Sequence, residues 1–565
     1  MSNRKDLTAI AILAVILLGG IWISYQLNTD FGLLEVDTIS IPAGDLQLSC
    51  LLYIPSEAHP DNPRPAVVLT HGISSSKETV SGIALELARR GIVSLAFDLQ
   101  GHGDSGGGLG VADPSSGMYA AVDYIESLPY VDRGLVGVVG HSLGAGAARA
   151  TAFTKDVAAS AFIGGGTGGE HRQEGALTQS SPRNLLIAVG RHDVLFDIDT
   201  LIEDLQPIFG TATPVEPGIT YGDFSLGQAR RLVVSSTIHL LEPLDATIVS
   251  EVVSWFMEAF DSPTGRDLPS NKTTYIWREL AILLSLMACI GIIFPLSRIA
   301  RNQIEHLQHS KPRDQFKILS GRKVLILWGG LGIVSFLPFM GLGAMIPFPP
   351  QLFGSSMAWW LLSMGVAGAL LLRIVASRSL QFDLKMRELV PSSFNKTDVL
   401  IASGLVTLLY LIGVSVEELT SLNLRIYVPI LNALKPVSRA VVFPSYIPFF
   451  LVFFFVEGLY LHVLRKGGSE EYSDLFRVLA IKLIPYLAVL GIQYVPMYTL
   501  NLRLFPGLLG FFLEFIWAIV PLFAISTACS WWLHRVTGRS GAGAIFNSLL
   551  IAWVSASLFP FGTFG

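Results

Sequence analysis

The chain has 565 residues, 51% hydrophobic and 15% charged, with a mean hydropathy of +0.54. These values exclude an ordinary soluble protein and a disordered one and point to the membrane class. A net charge of −5 without a long basic run gives no ground for a nucleic-acid partner.

The first element is an apolar stretch from Leu7 to Ile23, preceded by Arg4 and Lys5. The following "ISYQLNTD" lacks a small-residue cleavage pattern, so residues 1–27 are predicted to be an uncleaved transmembrane anchor. Residues 28–272 are polar enough to form a water-facing domain. Short β-rich runs at 46–54, 66–70, 92–97, 135–140, 157–165, 184–190 and 231–236 alternate with helical patterns at 77–90, 115–128 and 245–260. Such alternation predicts an α/β domain, a mostly parallel sheet with helices on both faces. Ligand sites in such sheets lie beyond the carboxyl ends of the strands. Cys50 is alone in this part, so no disulfide is expected within it, and no CxxC or HExxH spacing suggests a metal or other cofactor.

Residues 273–565 form a polytopic membrane domain. Apolar runs recur near 275–296, 324–346, 356–376, 398–416, 440–464, 477–499, 504–531 and 541–560, which with the anchor predicts about nine helical spans. Alternate connections are basic. The first carries Arg298, Arg301, Lys311, Arg313, Lys317, Arg322 and Lys323, and the second Arg373, Arg378, Lys385, Arg387 and Lys396. Arg465, Lys466 and Arg477 follow, then Arg535 and Arg539, whereas "PFPPQLFGSS" between them has no Lys or Arg. The positive-inside rule puts the N-terminus and these four loops in the cytoplasm and residues 28–272 outside the cell membrane.

The chemistry sits in the water-facing domain. Gly140-His141-Ser142-Leu143-Gly144 matches G-x-S-x-G at a strand end and a helix start, where the turn is too tight for side chains at the glycines. A serine hydroxyl is a weak nucleophile and needs a base, which needs an orienting carboxylate. Asp193 follows the run ending at Gly190, and His239 follows the next run. The order Ser142, Asp193, His239, together with "THGISSS" (Thr70–Ser76) and "FDLQGHGDS" (Phe97–Ser105), resembles the α/β-hydrolase family over about 40–270.

That resemblance implies Ser142 as nucleophile, His239 as general base and Asp193 as its orienting acid, with the Ile73 and Leu143 N–H groups as oxyanion hole. His192 competes for the base role and Asp197 for the acid. His141, His71, Asp98, His102 and Asp104 read as structural, and Tyr119 and Tyr221 are unplaced pocket candidates. The short segment before Asp193 leaves no room for a large helical cap, which predicts an open site. The insertion Asp197–Arg230 is a candidate pocket wall.

Eight spans exceed what anchoring requires. Glu457, Lys482 and Glu514 lie inside apolar runs, with Arg439 and His462 nearer the ends; ionisable groups there mark functional interiors or buried pairs. Phe455–Leu464 shares part of the F-x-E-E-x-x-F-R-G motif of CAAX-type intramembrane proteases. Gly458 and His462 replace its second Glu and its Arg, so that chemistry is not assigned. The leading expectation is a membrane-bound serine hydrolase acting on an ester, thioester or amide, with an acyl or lipid-linked substrate suggested by proximity to the bilayer. The alternatives are a transporter with an accessory outer domain and a catalytically inactive binding module.

Overall fold

The computed structural model describes residues 2–109, 113–167, 175–261, 266, 268–304, 319–376, 394–465 and 472–562. Lys311, Arg313, Lys317, Arg378, Lys385, Arg387 and Lys466 lie outside the described residues. Helix α1 (Ser2–Asn28) leads directly into the water-facing domain. Its strands are β1 (Leu34–Ala43), β2 (Leu46–Pro55), β3 (Arg64–Thr70), β4 (Val93–Phe97), β5 (Val131–His141), β6 (Ala159–Ile163), β7 (Leu185–Gly190), β8 (Thr220–Tyr221) and β9 (Arg230–Ser235). They form one sheet in the order β1-β2-β4-β3-β5-β6-β7-β9-β8. The six strands from β4 to β9 in that order are parallel, and β1, β2 and β8 pair antiparallel.

The central strands are buried on both faces, which explains their continuous Val/Ile/Leu/Ala runs. Helices α2 (Ser81–Ala88) and α6 (Ala246–Phe260) pack on one face, with Ile83, Val252 and Trp255 in its core. Helices α3 (Met118–Ser127), α4 (Leu143–Thr154) and α5 (Ile198–Phe209) pack on the other. The fold is that of an α/β hydrolase. The insertion expected as a pocket wall folds differently: α5 buries Ile198, Leu201, Leu205 and Phe209 in the sheet core, a stripe at helical spacing that is better satisfied there than beside a solvent-filled site.

The remaining helices are α7 (Tyr275–Ile304), α8 (Gly321–Val324), α9 (Gly330–Met345), α10 (Gly354–Ala376), α11 (Lys396–Thr420), α12 (Val437–Gly458), α13 (Tyr472–Leu500), α14 (Gly507–Thr537) and α15 (Gly541–Leu558). Among the described residues, eight helices, counting α1, are long and apolar enough to cross a membrane. The run at 324–346 is helical too, but a π-turn at Leu325–Gly329 divides it into α8 and α9, neither long enough by itself.

The domain stands on one end of this bundle. Segments that meet it are the end of α1, the start of α7, the α11–α12 and α13–α14 connections, and the end of α15. These are the connections poor in Lys and Arg apart from the few that make contacts there. At the far end Arg298 pairs with Asp6 at 2.7 Å, Arg465 with Asp474 at 2.6 Å and Arg539 with Asp398 at 2.7 Å.

Arg278, fully buried, is the main polar tie between the two parts. Its guanidinium donates to Asn28 Oδ1 (2.8 Å), Ser81 Oγ (2.9 Å) and Glu279 Oε1 (2.7 Å), and Arg425 donates to Glu279 Oε2 at 2.9 Å. Removing one partner of such a buried set leaves charge uncompensated. Arg278→Met should therefore cost about 3–5 kcal/mol, seen as earlier thermal aggregation of the detergent-purified protein. Melting unchanged from wild type would contradict this account of the junction.

Candidate active site

Strand β5 ends at His141 and α4 starts at Leu143, so one residue must turn the chain. That residue is Ser142, at φ 54° and ψ −114°, a conformation L side chains rarely adopt and one that marks stored strain. The glycines on either side are required by close approach. A Cβ on Gly140 would lie 1.9 Å from the Gly144 carbonyl oxygen, and one on Gly144 would lie 2.5 Å from that of His71. The Ser142 N–H donates to Ile163 O at the end of β6 (2.8 Å), which holds the turn against the sheet.

The loops after β7 and β9 bring up the other two groups. Arg191 N donates to Ser235 O (2.6 Å) and His192 N to Thr237 O (3.0 Å), so the two loops are laced together. His239 Nδ1 lies 2.7 Å from Asp193 Oδ2, and His239 Nε2 lies 2.9 Å from Ser142 Oγ. The geometry thus joins Ser142, His239 and Asp193 in one chain of hydrogen bonds. Asp197 instead caps α5 through the Thr200 N–H (3.1 Å), and His192 stacks on Tyr498 with ring centres 3.8 Å apart. Tyr119 OH bonds Thr154 Oγ1 at 2.9 Å and Tyr221 OH accepts from the Glu216 N–H at 3.0 Å, and neither lines the pocket.

His239 is almost fully buried. Burial alone would lower its pKa, but the charge and hydrogen bond of Asp193, with a smaller contribution from Glu514, outweigh that and raise it. A neighbour the sequence did not single out, Glu242, accepts the Gly190 N–H at 2.6 Å and lies 3.6 Å from His239 Nδ1. Burial and the adjacent Asp193 charge push Glu242 well above the usual carboxylate range. His141 bonds the His239 carbonyl at 3.1 Å, and burial beside His239 keeps it neutral.

The oxyanion-loop region is braced from below. His71 Nδ1 donates to Gly72 O (2.7 Å) and Nε2 accepts from the Leu99 N–H (3.2 Å); burial holds its pKa down to about 4. Asp98 accepts from the Lys77 backbone N–H (2.7 Å), Lys77 Nζ (2.8 Å) and the Asp104 N–H (2.9 Å). Ile73 lines the pocket beside Ser142, and the Leu143 N–H stands at the start of α4, where helical N–H groups have no partner within the helix. His102, buried beside His71, bonds only its own loop, at Gln100 O (3.2 Å).

The site is not open. A pocket of about 550 Å³, counting the space at its mouth, is lined by Ile73, Ser142, His239 and Leu240 from the domain and by Tyr427, Phe511, Glu514, Phe515, Ala518 and Leu558 from the bundle. The cap that the short segment before Asp193 could not supply comes from helices hundreds of residues away. Glu514, noted only as an ionisable group in an apolar run, accepts from the Leu240 N–H (3.2 Å), next to His239, and from Tyr494 OH (2.9 Å). Phe511 lies edge-on to the His239 ring, 5.6 Å between centres. Ligand-type atoms of His141, His239 and Glu242 all fall within 4.8 Å of one another. Both His239 nitrogens already face Asp193 and Ser142, so a metal ion there would have to displace those contacts.

Residues 61–175 match the family model described as serine aminopeptidase, S33. Uncharacterized protein YcjY of Escherichia coli is 33% identical over 106 residues, which is 18% of this chain and 35% of that one. Uncharacterized protein PA2218 of Pseudomonas aeruginosa is 40% identical over 100 residues, 17% of this chain and 27% of that one. The match thus spans about a third of the length of these relatives. The solved Pyrococcus furiosus esterase Pf2001 overlays 40% of this chain and 94% of its own at 18% identity with a TM-score of 0.31, and the solved PA2218 covers 40% and 94% at 18% and 0.29.

The raised pKa of His239 has a consequence for rate. Imidazole acts as a base only when neutral, so a hydrolysis that used His239 as its base would fall as pH drops through that pKa, with a midpoint above the ordinary value of about 6.5. Glu514→Gln removes one of the contributions that raise it, so the midpoint should move to lower pH in the kcat/KM profile. A midpoint unmoved in a folded variant would contradict the placement of Glu514 beside His239. Residues 34–260 have the α/β-hydrolase fold, are similar over 61–175 to the serine aminopeptidase S33 family and are joined to a bundle of membrane-length helices.

Proposed function

We propose that this protein is a membrane-bound serine hydrolase that cleaves an ester, thioester or amide. The single observation that carries the reading is the continuous hydrogen-bonded series from Ser142 Oγ through the His239 ring to Asp193 at 2.9 and 2.7 Å. In this reading Ser142 Oγ attacks the acyl carbon while His239 Nε2 takes the hydroxyl proton. Asp193 orients the ring and stabilises the imidazolium. The negative charge on the tetrahedral oxygen falls to the Ile73 and Leu143 N–H groups. Collapse breaks the bond to the leaving group, which departs with the proton from His239. Water, deprotonated by His239, then attacks the acyl-enzyme, releasing the acid and restoring Ser142.

The sidedness supports the same reading. Among the described residues of the basic connections, Arg298, Arg465 and Arg539 lie at the end of the bundle away from the hydrolase domain, which by the positive-inside rule supports a domain outside the cell membrane and an N-terminus in the cytoplasm. The motive for transport weakens on inspection of its three residues. Lys482 pairs with Glu457 in the bundle core, between the rings of Phe453 and Phe523, and Glu514 faces the hydrolase pocket.

Ser142→Ala should abolish labelling by a fluorophosphonate and lower ester hydrolysis by roughly 10⁴-fold or more. A membrane-impermeant probe should label the wild type on intact cells. Absence of labelling in folded wild type, even after permeabilisation, would sink the hydrolase reading. Labelling only after permeabilisation would keep the enzyme and reverse its orientation.

A further inference from the structure

We infer that the bundle side of the pocket is the seat of a hydrocarbon acyl chain, so that the substrate is an acyl ester, thioester or amide resident in the membrane; this rests on the serine hydrolase reading. Phe511, Phe515 and Ala518 recur at helical spacing along one face of α14 and line the pocket with Leu558 at the end of α15. Leu509 and Trp517, on other sides of α14, are exposed, as a lipid-facing surface would be. The wall next to Ser142 is therefore built from a membrane helix and not from a soluble cap.

Depth gives the second argument. Helix α14 begins at Gly507, at the end of the bundle that carries the hydrolase domain. At about 1.5 Å rise per residue, Phe511 to Ala518 lie roughly 6–17 Å along the helix from its start. Half of a bilayer's hydrocarbon core is about 15 Å. With the start of α14 set at the hydrocarbon boundary, the pocket wall falls within the depth of the acyl chains of one leaflet.

Polarity gives the third. The charged group on this wall, Glu514, has its oxygens engaged by Tyr494 and the Leu240 N–H, so it faces the His239 loop and leaves Phe511, Phe515, Ala518 and Leu558 as the surface next to Ser142. A chain seated there gains burial with each methylene. Tyr427 shares this wall, but most of its surface is apolar, so a polar acyl part would lose water for few partners. Hydrolysis follows the step above: the chain's carboxyl carbon bonds Ser142 Oγ, the headgroup leaves with the proton from His239, and water releases the fatty acid.

The test uses the full chain in proteoliposomes with acetyl, octanoyl and dodecanoyl esters of one fluorogenic alcohol. Wild-type kcat/KM should rise up to about fourfold per added methylene until the pocket is filled. Ala518→Trp, which fills it, should lower the dodecanoyl-to-acetyl ratio at least about tenfold. Should that variant fail to fold, the wild type alone decides the matter through its relative rates of inactivation by ethyl and dodecyl fluorophosphonates, with the dodecyl probe expected to be much faster. A dodecanoyl ester of an alkyl-anchored alcohol, held in the vesicle bilayer, should also be cleaved. Labelled, active wild type with no preference for long chains overturns the acyl pocket and leaves the hydrolase intact. Cleavage of free esters but not of the bilayer-held one overturns the membrane source. Failure of every probe to label wild type overturns both readings.

Discussion

Leu240 donates its backbone N–H to the Glu514 carboxylate, and this contact joins the turn that carries His239 to the first turns of helix α14. It belongs to a broader seam. Val194 and Ile238, neighbours of Asp193 and His239, are buried in the same apolar cluster as the membrane helices, and the Gly507 N–H donates to Val194 O at 2.7 Å. The loops that hold His239 and Asp193 are therefore packed against the bundle as well as against the sheet. Strain at Ser142 and the close approaches at Gly140 and Gly144 set the hydroxyl above the sheet. The seam then sets what stands over it.

This arrangement gives the many helices a physical purpose beyond attachment. Burying charges in a bilayer is costly unless they are paired. Glu457 and Lys482 meet that requirement by pairing with each other, with Trp328 donating to the same carboxylate at 3.3 Å and two aromatic faces against the ammonium group. Arg439, also buried, spends its donors on Ala556 O, Phe559 O and the Gly101 carbonyl of the hydrolase domain. Phe561 exchanges backbone hydrogen bonds with Gly101 and Leu109 nearby. Polar groups in the bundle thus fix helices to one another or fix the domain onto their end.

Much of the domain was legible because its signals are local. Each of Ser142, Asp193 and His239 follows an apolar run directly, and the glycines around Ser142 reflect contacts within a few residues or with an adjacent strand. Strand β1 was missed: it is an edge strand with largely exposed residues, and its alternation of Ile39, Ile41 with polar neighbours is short. The apolar run at 324–346 was legible as helix, but the π-turn at Leu325–Gly329 leaves no mark in hydropathy. The open site was the larger error. A cap is sought in the sequence beside the catalytic loops, whereas here it arrives from Tyr427, from α14 and from the end of α15. Glu514 illustrates the limit: an acid in an apolar run carries the same signal whether it faces a pairing partner, a pathway or a second domain. Glu242 lies three residues beyond His239 and was passed over because nothing in the sequence says that the two share a turn.

The central claim is that domain and bundle together form one pocket, with the serine on one side and α14 on the other. The most direct measurement is an experimental structure of the full-length protein in lipid after reaction with a dodecyl fluorophosphonate. This account predicts phosphorus bonded to Ser142 Oγ and the alkyl chain running along Phe511, Phe515 and Ala518. A chain that instead leaves the serine across the hydrolase domain, away from α14, would contradict it.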